Sequence, residues 1–343
     1  MTRGGNIVDH YQILGGLGSP YSMKMRAILR YRRLPHIWIQ ANASHEAERA
    51  AVRPAVIPVI QYPDGSYHND STPMTYELEA RHPGQRSIVP PDAGDAFLAY
   101  LLEDMADEWA TKIMFHYRWY RPRDQKQMSE WLAFDRGQGG GLDEIMRFAE
   151  FFRSRQVGRM ALVGCTPENA PIIEDAAAQL AGMFEAHVVN QPYFFGSRPS
   201  LAEFSWYGQF SQLIVDPTAN DTLREIAPFT VRWIMQMDDP SGVEGEWRAP
   251  DDALPPIVGQ LLAFAGEVYL PFLEANVAAL AAGEETFTLD ILGRPYTQGA
   301  FKYQARCLES LRRAYAEVPD AARARIGAML ADAGVLEALT RGR

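Results

Sequence analysis

The chain has 343 residues, of which 47% are hydrophobic and 22% charged, and a formal net charge of −10. This is ordinary globular composition, long enough for two domains with sizeable cores. The acidic balance disfavours a general role on nucleic acid or on an anionic membrane. Two cysteines, Cys165 and Cys307, stand far apart and outside any C-x-x-C pair. They argue against a disulfide framework and a zinc site, and fit a reducing compartment. The first ten residues contain no signal-peptide-like apolar stretch, and no run approaches 18 apolar residues, so a cytoplasmic protein without a membrane span is expected.

Tyr11 to Leu14 is a short apolar run ending at Gly15-Gly16, read as a strand and loop. From Pro20 to Arg33 the period becomes helical, with Tyr21, Met25, Ile28 and Leu29 on one face. His36 to Gln40 reads as a second strand. Val56 to Gln61 reads as a third, interrupted by Pro58. Asp64-Gly65 marks a hairpin turn before a short fourth strand at Ser66–Asn69. Ser71 to Arg81 is a helix closed by His82-Pro83-Gly84. Strands alternating with helices, then a hairpin and a helix, make an α/β unit over residues 1–84.

Residues 85–93 read as a linker, with Pro90-Pro91. The remainder reads as helical. Leu98, Leu101, Leu102, Met105, Trp109 and Ile113 form one apolar stripe, and further helices are expected over 125–134, 142–152, 172–189, 201–214 and 229–237. Residues 238–256 are acidic and proline-bearing, a surface connection. Helices over 258–282, 302–315 and 321–339 complete the chain. The expected division is 1–84, 94–237 and 238–343. Between Asp238 and Asp290 there are eleven acids and one base, Arg248, whereas Lys302 to Arg343 carries eight bases and five acids.

Three short motifs carry chemistry. In Ser19-Pro-Tyr-Ser-Met-Lys-Met-Arg26 a hydroxyl stands after a strand and at the start of a helix, where unpaired N–H groups and the helix dipole favour negative charge. A thiol there becomes more acidic, and a serine O–H can donate to its thiolate. Ser19 also suits a plain N-cap. A cis peptide before Pro58 would turn the Ile57 backbone toward a peptide-like ligand, whereas a trans proline would merely mark an edge strand. Asn69-Asp-Ser-Thr72 opens a helix, with Ser71 suited to a carboxylate and Asp70 to an ammonium group, or to simple capping.

These motifs in this order, in one four-stranded α/β unit, resemble the N-terminal domain of the glutathione transferase family. The resemblance covers residues 9 to about 237. It implies a thioredoxin-like domain followed by an all-helical domain, with a further helical extension beyond the usual family length. It implies that Ser19 stabilises the glutathione sulfur in the manner of the serine-type classes, that Ile57 and Pro58 hold the cysteinyl backbone, and that Asp70 and Ser71 hold the γ-glutamyl head. Asp70 stands where the family commonly has Glu. Tyr11 and Tyr21 are alternative hydroxyls for the sulfur. Phe195-Gly-Ser-Arg-Pro-Ser-Leu-Ala-Glu-Phe204 is similar to the family's capping box, with Ser200 and Glu203 at S-x-x-E spacing. The first long helix of the second domain implies an electrophile pocket at Trp109, His116 and Tyr117, residues that equally suit interdomain core.

The activity implied is attack of the glutathione thiolate on an apolar electrophile, a detoxification chemistry with glutathione as co-substrate. Glutathione-dependent reductive cleavage or isomerisation would use the same site, and a non-catalytic protein-binding member is the third reading. A homodimer is expected. A metal site is not, because His116 has no partner at metal spacing. Nor is thioredoxin-type disulfide chemistry, because Ser19 and Ser22 stand where that reaction needs a cysteine.

Overall fold

A pattern of four short strands and two main helices should close around one apolar sheet face, and the computed structural model, which describes residues 9–84 and 86–341, shows how. Residues 1–8, Gln85 and residues 342–343 lie outside the described residues, and with them the expected start of the first domain, the first linker position and the end of the extension. Strand β1 (Tyr11–Gly15) leads into α1 (Pro20–Tyr31), then β2 (His36–Gln40), the short α2 (Glu46–Ala50), β3 (Val59–Gln61), β4 (Tyr67–His68) and α3 (Ser71–Arg81). The sheet order is β2-β1-β3-β4, with β1 parallel to β2 and antiparallel to β3. This is the thioredoxin-like arrangement. Strand β3 begins at Val59 rather than Val56, as expected when Pro58 has no N–H to give to a ladder.

The helical region begins with α4 (Ala93–Met105), which continues through a π-helical turn at Ala106–Ala110 into α5 (Thr111–Trp119). Then come α6 (Pro122–Arg136), α7 (Leu142–Val157), α8 (Ala170–Val188), α9 (Leu201–Leu213), α10 (Pro217–Ile226) and α11 (Pro228–Met237). Helix α9 has every residue buried. It starts at the capping box: the Ser200 N–H donates to Glu203 Oε2 at 2.8 Å, and Ser200 Oγ accepts from the Ala202 N–H at 3.3 Å. Such caps contribute about 1 kcal/mol. Helix α9 lies directly on α1, and Gly208 makes that possible. A Cβ there would stand 2.7 Å from the Pro20 carbonyl oxygen. One continuous apolar core therefore runs from Ile13 and Ile28 through Phe204 and Trp206 to the last helices.

The extension differs from the all-helical expectation. Helices α12 (Pro256–Phe264) and α13 (Leu270–Ala282) are joined by a second π-helical turn, and are followed by a hairpin of β5 (Thr286–Ile291) and β6 (Arg294–Gly299). The turn residues Leu292 and Gly293 both have positive φ, 53° and 74°, the backbone of a two-residue turn that suits the twist of paired strands. Helices α14 (Lys302–Glu317), α15 (Asp320–Asp332) and α16 (Leu336–Thr340) close the chain. The expected single helix over 321–339 is split at Gly334, φ 72°. Residues 256–282 form a helical run long and apolar enough to cross a membrane by composition, and its apolar face, with Leu261, Leu262, Phe272 and Leu273, is buried in the core.

Candidate functional site

The loop after β1 and the start of α1 face α5, α6 and α7 across a cavity of about 350 Å³. Ser19, Tyr21 and Ile57 line one side, and Phe115, Trp119, Leu132, Phe148 and Phe152 line the other. Pro20 occupies the first position of α1, where its missing N–H costs nothing. Ser19 is the N-cap, its Oγ accepting from the Ser22 N–H at a long 3.3 Å. No acceptor among the described residues takes the Ser19 hydroxyl proton, so the residue caps its helix and keeps a donor free for a ligand.

The two alternative hydroxyls are committed elsewhere. Tyr11 is buried, with its hydroxyl 2.7 Å from His82 Nε2. Tyr21 lines the cavity, but its hydroxyl donates to the Asp107 carbonyl at 2.9 Å. Burial first, then the Glu108 and Asp107 carboxylates, raise its pKa well above the ordinary phenol value.

Ile57–Pro58 is a cis peptide, as is Arg53–Pro54. Ile57 lines the cavity, whereas Pro58 is buried and does not. Asp70 and Ser71 do not line this cavity. Asp70 has φ 73° and does not cap α3 with its side chain. The residue is exposed, yet the protein bulk around its carboxyl raises the pKa above the usual range, with the Thr72 N–H working in the opposite sense. Ser71 is 4% exposed, and its Oγ stands 3.5 Å from Asp107 Oδ2. Tyr303, from the extension, reaches Asp70 Oδ2 at 3.5 Å.

The three residues expected at the electrophile pocket lie elsewhere. Trp109 is fully buried against Phe272 and Tyr296 of the extension. His116 is fully buried, bonded through Nε2 to Glu174 at 2.8 Å and stacked on Tyr120. Tyr117 faces α8 and α10, beside Ala177 and Leu223. The physical reason is helical phase: Phe115, Arg118 and Trp119 lie toward the cleft, whereas His116 and Tyr117 face α8.

Sequence reasoning missed the cations. Arg49, Arg118 and Arg136 line the cavity, against one acid, Asp135. Arg118 is 3% exposed, and its Nε lies 3.1 and 3.2 Å from the two carboxylate oxygens of Asp216, which is fully buried. Its Nη1 donates to the Gly18 carbonyl at 2.7 Å, tying α5 to the loop that presents Ser19. Burial raises the Asp216 carboxyl to about 6 despite Arg118. Below α1, Lys24 is fully buried and holds Glu103 at 2.6 Å and Asp107 at 2.7 Å. This pair of contacts locks the first domain onto α4. A second apolar groove of about 560 Å³, with Trp131, Phe134 and Leu142, shares Gly18, Leu132 and Asp135 with the first. Among the described residues no group of His, Cys, Asp or Glu is placed to hold a metal ion. Cys165 and Cys307 are buried and unpaired.

Residues 15–86 match the family model of the glutathione S-transferase N-terminal domain. Over this segment the chain is similar to the N-terminal domain of glutathione S-transferases. The match spans β1's last residue through α3, the segment that carries Ser19, Ile57, Asp70 and Ser71. No curated protein sequence matches. Solved structures of similar fold include a glutathione S-transferase from Methylobacterium radiotolerans in complex with glutathione sulfonate, at 17% identity, with 71% of this chain and 99% of that chain covered and a TM-score of 0.42. A glutathione S-transferase from Rhodospirillum rubrum has 16% identity, coverage of 73% and 99%, and a TM-score of 0.42. A β-etherase from a Sphingobium species has 14% identity, coverage of 73% and 98%, and a TM-score of 0.44.

Proposed function

We propose that this glutathione transferase-like chain binds glutathione in the cleft between its first domain and its helices, holds it as the thiolate beside Ser19, and presents it to an apolar electrophile. The observation that carries the reading is the free Ser19 O–H at the start of α1, set into a cavity whose far wall is aromatic and aliphatic. A thiol of ordinary pKa about 8.5 is made more acidic by the helix N-terminus, by a hydroxyl donor and by nearby guanidinium groups. The thiolate then forms the new C–S bond as the leaving group departs with its electron pair. Rate comes from the larger thiolate fraction and from holding both reactants together.

Ile57 would pair with the cysteinyl backbone, and Arg49 and Arg136 suit the ligand's carboxylates. The γ-glutamyl head at Asp70 and Ser71 has to share those residues with Tyr303 and Asp107, which hold them at 3.5 Å in this structure. The same reading carries a homodimer in the cytoplasm, the domain limits 1–84, 94–237 and 238–343, and detoxification as the setting.

The test is calorimetric titration with glutathione, followed by conjugation to chlorodinitrobenzene. Saturable binding and adduct formation support the proposal. Glutathione disulfide formed in place of an adduct moves the assignment to reductive cleavage at the same site. Absence of both binding and turnover leaves a protein-binding role and overturns the reading.

A further inference from the structure

Beyond Phe115 the extension walls off a second chamber, of about 180 Å³, bounded by α5 and by Phe301, Tyr303 and Gln304. Phe115 belongs to the walls of both this chamber and the main cleft. The lining contains one unusual group. Lys112 is 3% exposed, and its Nζ has a neutral partner, the Gln298 side-chain oxygen at 2.6 Å, with the Phe272 ring 4.6 Å away. Among the described residues it has no carboxylate within ion-pairing distance. The contrast with Lys24 is direct. That lysine is equally buried, yet it is held by two carboxylates at 2.6 and 2.7 Å. The nearest opposing charge is Glu108, one helical turn earlier in the same lining and outside ion-pairing distance. A buried ammonium that no carboxylate touches is costly, and the cost is relieved by an anion that brings its own charge into the cavity.

We propose that this chamber is a recognition site for the carboxylate of a small aromatic acid, with Lys112 as its counter-ion and the Phe115, Phe301 and Tyr303 rings as the walls for its ring.

The other charges around the chamber permit this. Glu103 and Asp107 are already paired with Lys24. Asp104 is bonded to the Tyr269 hydroxyl at 2.5 Å, and burial, then Glu108, raises its carboxyl well above the usual range. Glu108 is the remaining acid in the lining. Burial, reinforced by Asp107, raises its carboxyl above the usual range, with Lys112 working in the opposite sense, and in its protonated form it would donate a hydrogen bond to an entering carboxylate. Burial lowers the Lys112 ammonium below the usual lysine range, and Glu108 works in the opposite sense. The size of the chamber suits one ring, and aromatic walls with a few polar groups are ordinary ligand-site chemistry. Gln298 comes from β6 and Phe301, Tyr303 and Gln304 from the start of α14, so the site exists only because the extension is present. Phe115 belongs to the walls of both this site and the cleft of Ser19. What the ligand is for rests on the proposed thiol chemistry, but whether it binds does not.

The experiment titrates the full-length protein calorimetrically with benzoate and with its neutral isostere benzamide, and in parallel with glutathione. The expected result is benzoate binding at least about tenfold tighter than benzamide, the scale of a charge-assisted contact. In Lys112→Met that preference disappears, while glutathione affinity is unchanged. Benzoate binding no tighter than benzamide to the wild-type protein overturns the proposal without any variant, as does a preference that survives Lys112→Met. Benzoate binding without glutathione binding keeps this site and refutes the glutathione reading. Glutathione binding without benzoate binding does the reverse.

Discussion

Replacing Ser19 by Ala separates two jobs of one hydroxyl. As a cap, Ser19 Oγ accepts from the Ser22 N–H at 3.3 Å, a long bond, so its loss belongs at the lower end of the cap range, about 0.5–1 kcal/mol of folding stability. As a thiolate donor it makes a hydrogen bond to a charged atom, worth about 1.5–3 kcal/mol. At about 1.4 kcal/mol per decade, that is a tenfold to hundredfold loss of turnover. The half-buried, partly solvated position of Ser19 puts the expectation nearer tenfold. Glutathione affinity should change little, because the hydroxyl meets only the sulfur. The assay is a pH–rate profile with chlorodinitrobenzene for wild type and Ser19→Ala, alongside urea denaturation of both. The expected profile for the variant shifts its apparent pKa upward toward that of free thiol. A variant with unchanged rate and unchanged apparent pKa, and only the small stability loss, would show that Ser19 is a helix cap and nothing more.

Asp70→Ala should show the reverse pattern, weaker glutathione binding with turnover at saturation largely kept, read from KM and kcat separately; equal loss in both would place Asp70 in another role. Arg118→Met leaves the fully buried Asp216 carboxylate without its partner, and chemical denaturation should report a loss of about 3–5 kcal/mol. A loss below about 1 kcal/mol would contradict the pairing. His187 is 6% exposed, and burial lowers its imidazole to about 4. The unfolded chain, with an ordinary histidine near about 6.5, takes up a proton between those values that the folded chain does not. Stability from this group is therefore complete above about pH 6.5 and lost as pH falls toward 4, by up to about 3 kcal/mol. The acid limb of stability should be shallower in His187→Gln, and an identical limb would refute the assignment.

Local grammar made several element boundaries legible. Pro20 after Ser19 marks a helix start, Asp64-Gly65 marks a turn, and Ser200-x-x-Glu203 marks the start of α9. The stripe from Leu98 to Ile113 was also readable, and all six of its residues are buried. What periodicity could not divide was the aromatic run that follows. Trp109 stays with the buried stripe across the π-helical turn at 106–110, and His116 and Tyr117 face α8, while Phe115 and Trp119 take the cleft. Counting one helical turn from Phe115 finds Trp119 and Arg118, but nothing in the sequence says which face meets the first domain. The hairpin left a fainter signal. Phe287, Leu289 and Ile291 alternate with polar residues, yet Leu292 sits at a positive-φ turn position that normally announces itself with Asn or Gly. The pairing of Arg118 with Asp216, across 98 positions, and, among the described residues, the absence of a carboxylate within ion-pairing distance of Lys112 are facts of tertiary packing and have no local signature.

The central claim, that this cleft holds glutathione as a thiolate, is tested most directly by following the ultraviolet absorbance of bound glutathione as pH is raised, in wild type and in Ser19→Ala. The account predicts ionisation of the bound thiol well below the ordinary value of about 8.5, with a return toward that value when the Ser19 hydroxyl is removed. Bound glutathione that ionises like free glutathione in both proteins would contradict it.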